Sequence, residues 1–274
     1  EDGSEKCSTC GKKSFPVAIL HEKIKGVPPY NDGRSANRNL ISFKYDAYWS
    51  YNLDRGQNSY ICTNCAKLYS EGLNWLLSPK GIRTDKKGKK IPDYPYRKTF
   101  DDTAMVYWTR NNQKVAELDL FYNPDPGTVA HLIESVASGD AKKSKYIETD
   151  RFYSCTLSGA TARIAVRDWI EMSLDDLKKA IARWFEDIKI EAWGEAYYVP
   201  LYRMAACAQN EKSENKTTTS RIASHLWKTS LKETAPPLWI LTAVLKRLRI
   251  VENNEDSGNK ESVTPERAAL IRLI

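Results

Sequence analysis

Arg151-Phe152-Tyr153-Ser154-Cys155-Thr156-Leu157, then Ser158-Gly159-Ala160, then Thr161-Ala162-Arg163-Ile164-Ala165-Val166-Arg167-Asp168-Trp169-Ile170 is the stretch from which the fold can be read. Two runs rich in aromatic and β-branched residues flank a small-residue break, a pattern that predicts a β-hairpin. In the second run Ala162, Ile164 and Val166 alternate with Arg163, Ala165, Arg167 and Trp169, so two guanidiniums and an indole share one face. Helical signals follow at once. Ser173 and Asp176 have the spacing of an N-terminal cap, and Leu174, Leu177, Ile181, Trp184 and Ile188 recur at helical intervals. Further helices are predicted over 194–209, 220–232 and 237–250, the last with Leu238, Leu241, Leu245 and Leu248 inward. Polar connections are expected at 211–219 and 252–262.

Toward the N-terminus the chemistry changes. Cys7-Ser8-Thr9-Cys10 and Cys62-Thr63-Asn64-Cys65 are two Cys-x-x-Cys knuckles. A two-residue spacer lets a tight turn aim both sulfurs at one ion, and Zn²⁺ takes four thiolates in a tetrahedron. Gly11, just after the first pair, suits a backbone that turns under a metal with positive φ. Four protein ligands leave no position for water, so Cys7, Cys10, Cys62 and Cys65 predict a structural zinc site rather than a catalytic one. The alternatives are a disulfide framework or two unrelated thiol pairs. Cys155 and Cys207 read as small buried hydrophobes.

The interval between the knuckles is long for a small finger, so the metal is expected to staple a sizeable unit. Within and after it, 15–20 and 39–44 read as strands separated by a turn-rich stretch at 26–38. The segment 60–77 reads as a helix with Leu68, Leu73, Leu76 and Leu77 on its apolar face. A strand at 104–110 places Val106 and Trp108 on one side, a short helix follows at 125–138, and 139–145 is a polar linker. The expected fold class is α+β: a zinc-stapled α/β unit at 1–145, then a β-hairpin and a mainly helical half at 146–274. The first helical position after Thr264 is Pro265, and the chain stops soon after it, at Ile274, having opened on Glu1 without an initiator methionine. These ends read as those of a fragment trimmed on both sides.

Composition allows a real core, with 41% apolar residues in 274, and no run of apolar residues is long enough to span a membrane. Thiols reserved for a metal suit a reducing compartment, the cytoplasm. The formal net charge is +7, and the basic residues Lys80, Arg83, Lys86, Lys87, Lys89, Lys90, Arg97 and Lys98 face only Asp85 and Asp93 across one stretch. Such a patch could follow phosphates, or it could be a solvated lysine-rich turn. Arg163 and Arg167 beside Trp169 could combine phosphate contact with base stacking, against the plainer reading of a ring packed under a neighbouring element. Arg34, Asn37 and Arg38 lie in a polar loop, and such side chains can read guanine and adenine edges.

The order of motifs resembles a known family. Cys7 to Gly11, Pro16-Val17-Ala18-Ile19-Leu20-His21, Ile24-Lys25-Gly26-Val27, Leu40-Ile41-Ser42-Phe43, Ala47 and Ser50-Tyr51 are similar, in sequence order, to the central block of the type I-C CRISPR large subunit. The likeness continues through 66–77, 103–108, Phe152 to Ser158, Ala162 to Trp169 and Ala268-Ala269-Leu270-Ile271. Where that family commonly has Gly after the Ser-Tyr pair this chain has Asn52, which tolerates left-handed backbone angles. Not every member carries both complete Cys pairs. The resemblance implies a non-enzymatic subunit at the foot of an RNA-guided surveillance complex, Cascade, beside the CRISPR RNA and its backbone and foot subunits. It implies help in recognising the motif beside a double-stranded DNA target, in opening the duplex, in holding the displaced strand and in docking a helicase-nuclease. The rival reading is a free-standing zinc-dependent RNA- or DNA-binding protein.

Catalysis finds little support in the residues. His21-Glu22, Asp101-Asp102 and Asp175-Asp176 lack a second converging ligand at useful spacing, and Asp175 and Asp176 suit the first turn of a helix. His131 and His225 fall in predicted helices. No Walker loop, dinucleotide fingerprint or nucleophile elbow occurs.

Overall fold

The computed structural model describes residues 6–13, 15–28, 30–31, 34–35, 37–43, 45–49, 51–85, 88–100, 102–138, 150–159, 163–192, 194–209, 217–253 and 263–274. The chain divides into two compact units, Glu1–Val106 with Thr156–Arg167 and Tyr107–Cys155 with Asp168–Ile274. The linker expected at 139–145 and most of the connections at 211–219 and 252–262 lie outside the described residues.

The first unit begins with short pieces. β1 (Tyr30–Asn31) and β2 (Arg34–Ser35) pair antiparallel, and 3₁₀ turns cover Asp46–Tyr48 and Arg55–Asn58. Among the described residues of 15–20 and 39–43 the expected strands do not form, and Lys44 lies outside the described residues. Only single bridges remain there, Val17 with Cys62 and Asn39 with Arg163, while Ile24 bridges Arg38. Pro16 lacks an N–H for a ladder, and the main chain at Ala18 and Ile19 faces a turn instead: a Cβ on Gly56 would lie 2.2 Å from the Ala18 carbonyl oxygen. Asn52 does take the left-handed conformation, at φ 61°.

α1 (Thr63–Leu77) starts where the second knuckle predicts, with the Cys62 thiol accepting from the Cys65 N–H as its N-cap. Its inward face is displaced from the expected one. Cys65, Ala66, Ser70, Leu76 and Leu77 are buried, and Leu68 is 58% exposed. Small side chains face the unit, and Ser70 satisfies its hydroxyl on the Ala66 carbonyl at 2.9 Å, so hydrophobicity alone misplaced the stripe. Beyond Pro79, β3 (Gly81–Thr84) and β4 (Lys90–Asp93) make an antiparallel hairpin.

One four-stranded sheet follows, built from β5 (Arg97–Phe100), β6 (Thr103–Thr109), β7 (Arg151–Gly159) and β8 (Ile164–Ser173) in that order. The division into units falls within β6, β7 and β8. The two long strands of the opening motif are therefore present, each extending past its expected end.

In the second unit a 3₁₀ segment, Ala116–Phe121, precedes α2 (Pro126–Ala137), whose Asp125 cap accepts from the Thr128 N–H at 2.8 Å. α3 (Leu174–Ile188) is capped by Ser173, which accepts from the Asp176 N–H at 3.0 Å. Its predicted stripe, Leu174, Leu177, Ile181, Trp184 and Ile188, is buried throughout. The helix expected at 194–209 is instead an antiparallel pair, β9 (Ile190–Ala192) with β10 (Glu195–Tyr197), and then a short α4 (Leu201–Ala206). Aromatic Tyr197 and Tyr198, β-branched Val199 and then Pro200 favour extended backbone up to the start of α4.

α5 (Thr217–Lys232), α6 (Leu238–Asn253) and α7 (Pro265–Leu273) complete the unit. In α6 the buried positions are Ile240 and Val244, whereas Leu238 and Leu245 are 73% and 49% exposed. Two apolar stripes compete on this helix, and the one read as inward is largely the outer. The core gathers Phe121, Trp184, Phe185 and Trp227, with Phe121 5.4 Å from Trp227 and 6.0 Å from Phe185 between ring centroids. Asp168 on β8 holds Lys232 of α5 at 2.8 Å.

Candidate metal centre and basic surfaces

The first knuckle is shaped by its backbone. The Gly11 N–H donates to the Cys7 carbonyl at 2.8 Å, and Gly11 stands at φ +71°, which accounts for a glycine at the turn. The Cys7 N–H donates to Lys12 and the Ser8 N–H to Tyr60, tying the turn to the residues just before the second knuckle. From the other side Cys62 bridges Val17 and opens α1.

The Sγ atoms of Cys7, Cys10, Cys62 and Cys65 all lie within 4.8 Å of one another. Four sulfurs around one ion at about 2.3 Å would be spaced by about 3.8 Å, and Cys10 and Cys62 stand 3.9 Å apart. A disulfide needs about 2.05 Å, and all six cysteines are free thiols. Cys7, Cys62 and Cys65 are buried against Phe15 and Ile61, and Cys10 is exposed. The donor set could therefore hold a metal ion with four sulfur ligands.

The electrostatics fit a cation. The Cys10 backbone N–H, and next the Cys62 N–H at 3.3 Å, pull the Cys7 thiol down to about 6, while the hydrogen bond with Cys62 and then burial push Cys65 up to about 12. Without a cation, one thiolate in the cluster opposes the next. A dication removes that opposition and deprotonates its ligands. Burial first, and then the neighbouring Asp168 charge, raise Cys155 to about 11, and burial as the largest cause raises Cys207 to about 12, as befits thiols outside the cluster.

The basic stretch is less free than its composition suggests. Lys80 donates to the Trp75 carbonyl at 2.6 Å and lies over its ring. Arg83 pairs with Asp93 at 3.8 Å. Arg97 donates Nη1 to the carbonyls of Leu77 at 2.9 Å and Gly26 at 3.3 Å, closing the C-terminal end of α1. Lys98 is half-buried on β5. Lys89 and Lys90 are exposed at the tip of the β3–β4 hairpin, and Lys86 and Lys87 lie outside the described residues.

The other candidates separate likewise. Arg38 is 5% exposed and donates to the Val27 carbonyl at 3.2 Å, so its guanidinium serves the fold of the first unit. Asn37 is exposed, and Arg34 belongs to β2. Arg163 and Arg167 are both in the first unit: Arg167 is exposed and donates Nε to the Ser158 hydroxyl at 2.6 Å, and Arg163 lies over the rings of Tyr45 and Tyr48. Trp169, in the second unit, is 48% exposed and forms a ring cluster with Trp108 at 5.5 Å and Tyr153 at 6.1 Å. Sequence reasoning missed the rings around Arg163, because Tyr45 and Tyr48 are far from it along the chain.

Among the described residues, no helix is long and apolar enough to cross a membrane. The chain matches, over residues 1–274, the family described as CRISPR-associated protein (Cas_Csd1), and it belongs to that family. No curated protein matches it.

Proposed function

We propose that this member of the CRISPR-associated Cas_Csd1 family serves as the non-catalytic large subunit of a type I-C RNA-guided surveillance complex. The observation that carries the reading is the family match over residues 1–274, which takes in the cysteine cluster, the long hairpin and the helical half together. In such complexes base pairing with the guide reads sequence, while protein contacts a short duplex motif and the charged backbone. The partners would be the CRISPR RNA with its backbone and foot subunits, the target duplex and its displaced strand, and a helicase-nuclease, in the cytoplasm.

The ion at Cys7, Cys10, Cys62 and Cys65 is proposed to be Zn²⁺, which thiolate ligands favour. When bound it would supply a structural cross-link among four thiolates, with a net charge of about −2, and no reaction. For DNA, the proposed contacts are Lys86, Lys87, Lys89 and Lys90, the arginines Arg163 and Arg167, and also Arg34, Asn37 and Lys98. Reconstitution tests the whole reading: with the guide RNA and sister subunits, the chain should co-purify, and its omission should abolish opening of a target duplex. A complex that opens target DNA normally without it would overturn the proposal.

Gln at Lys86, Lys87, Lys89 and Lys90 should weaken binding of the assembled complex to DNA of any sequence. Each lost phosphate contact removes about one unit from the slope of log affinity against log salt. An unchanged slope in a salt titration would assign these lysines to solubility.

Arg163→Ala with Arg167→Ala should reduce retention of the displaced strand while leaving discrimination by the guide intact, since holding a strand is electrostatic and discrimination lies in base pairs. Permanganate footprinting at equal occupancy checks this. An identical footprint in the folded double variant would assign both arginines to the fold or to a sister subunit.

A further inference from the structure

A cavity of about 460 Å³ opens in the first unit, with Ile41, Phe43 and Trp49 among its apolar walls and His21, Asn39, Ser42 and Arg55 among its polar groups. Its size falls within the range of small-molecule sites, roughly 300–1,000 Å³, and far exceeds the space of one water, about 30 Å³. His21 is 7% exposed. Its Nδ1 shares a hydrogen bond with the Tyr69 hydroxyl at 2.8 Å, and its Nε2 is buried with no partner among the described residues. Whichever tautomer the Tyr69 bond selects, Nε2 offers one in-plane hydrogen bond from a ring that lines the cavity. A buried ring nitrogen left unmatched is costly, so a polar partner from outside is favoured there.

Aromatic and basic side chains adjoin the Phe43 wall. Trp49 is 53% exposed, and Tyr48 meets Phe43 edge to face at 5.9 Å. Arg163 lies over the Tyr45 and Tyr48 rings, and its Nη2 also has no partner among the described residues. Asn39, inside the cavity, pairs by its backbone with the strand that carries Arg163, its carbonyl accepting from the Ile164 N–H at 3.0 Å. Tyr51, Asn52 and Arg55 hold positive φ values of 54°, 61° and 49°. Non-glycine residues seldom take these angles, and they persist where the surrounding structure fixes them. Arg55 makes a loose, exposed pair with Asp54 at 3.6 Å.

We propose that this cavity is a nucleobase pocket: one base of a single-stranded DNA segment stacks against Trp49, its polar edge meets His21 Nε2 and Asn39, and its phosphate lies toward Arg55 and Arg163. The assignment rests on the nucleic-acid reading given above and adds a base-dependent contact to it. A purely apolar ligand would leave the imidazole nitrogen unmatched. A planar ring with donors and acceptors along one edge and an anionic tail answers each feature of the site. Stacking tolerates any base, so the contact would add affinity without strict sequence preference.

The test compares two probes on the purified chain: a short single-stranded oligodeoxynucleotide carrying 5-iododeoxyuridine, and a wholly abasic strand of equal length and charge. The wild-type protein should bind the base-containing strand about tenfold more tightly than the abasic one, and photocrosslinks should map to Trp49. That advantage should vanish in Trp49→Ala, which alters an exposed ring, and shrink in His21→Phe, which keeps the ring packing but removes the nitrogen. Circular dichroism confirms that each variant is folded. Equal binding of both strands by wild-type protein would overturn the pocket while leaving a phosphate-binding surface, and would leave the cavity to a side chain of a sister subunit. A base advantage that survives in folded Trp49→Ala would place base contact elsewhere and also overturn it. No binding of either strand would overturn the nucleic-acid reading together with the pocket.

Discussion

Cys62→Ser is expected to release the bound metal and to unfold much of the first unit. Cys62 has three roles, of which the substitution removes the first, because serine can still cap a helix and the bridge to Val17 is made by the backbone. It belongs to the four-sulfur set, its thiol caps α1 through the Cys65 N–H at 3.4 Å, and it forms the bridge that fixes Val17. Structural zinc in small domains binds with about 10–16 kcal/mol at neutral pH, comparable to the roughly 5–15 kcal/mol by which a whole domain is stable. Loss of one ligand should therefore lower the unfolding temperature by on the order of 10 °C or more. Elemental analysis should give about one zinc per chain in the wild-type protein and none in the variant. Removal of the metal by chelation should reproduce the effect and expose Cys7, Cys10, Cys62 and Cys65 to alkylation, while Cys155 and Cys207, with thiols raised by burial, react slowly. A zinc-free, reduced wild-type protein that melts at the same temperature would remove the metal from the account.

What could be read in advance was local. Matched x₂ spacings put sulfurs together, Ser173 and Thr264 announce helix starts by their own side chains, and the alternation in 151–170 is a property of neighbouring residues. What could not be read depends on partners distant along the chain. Arg97 looks like one more cation of a basic loop until its guanidinium is found on the carbonyls of Leu77 and Gly26. Arg38 in a polar loop is buried because Val27 supplies an acceptor. His21 beside Glu22 suggested only an incomplete metal site, and its significance appears once Tyr69 takes one ring nitrogen and the other is buried without a partner among the described residues, in a ring that lines a cavity. The aromatic cluster of Trp108, Tyr153 and Trp169 takes one ring from each of β6, β7 and β8, so no window along the sequence contains it. Helix faces failed for a different reason. In α1 and α6 two stripes satisfy helical periodicity, and packing, through small residues in one and Ile240 and Val244 in the other, decides between them.

Trp227→Ala is expected to be the most damaging single truncation in the second unit. The ring is wholly buried, tilts against Phe121 at 5.4 Å and Tyr107 at 6.2 Å, and donates Nε1 to the buried Ser154 hydroxyl at 3.2 Å. Truncating a core tryptophan typically costs about 3–5 kcal/mol because transfer free energy and cavity formation add. Here the Ser154 hydroxyl also loses its donor, although it can still turn its own proton to another acceptor. Trp227→Phe should cost less, since the ring contacts survive in part. The same denaturation series settles which face of α6 is inward. Ile240→Ala should cost about 2–5 kcal/mol, and Leu238→Ala, at a side chain 73% exposed, should stay within about 0.5 kcal/mol of wild type. The measurement is the urea midpoint followed by near-ultraviolet circular dichroism. If Leu238→Ala proves costly and Ile240→Ala neutral, the helix is rotated from the position described. If Trp227→Ala unfolds at the wild-type midpoint, the aromatic core of this unit does not hold it together.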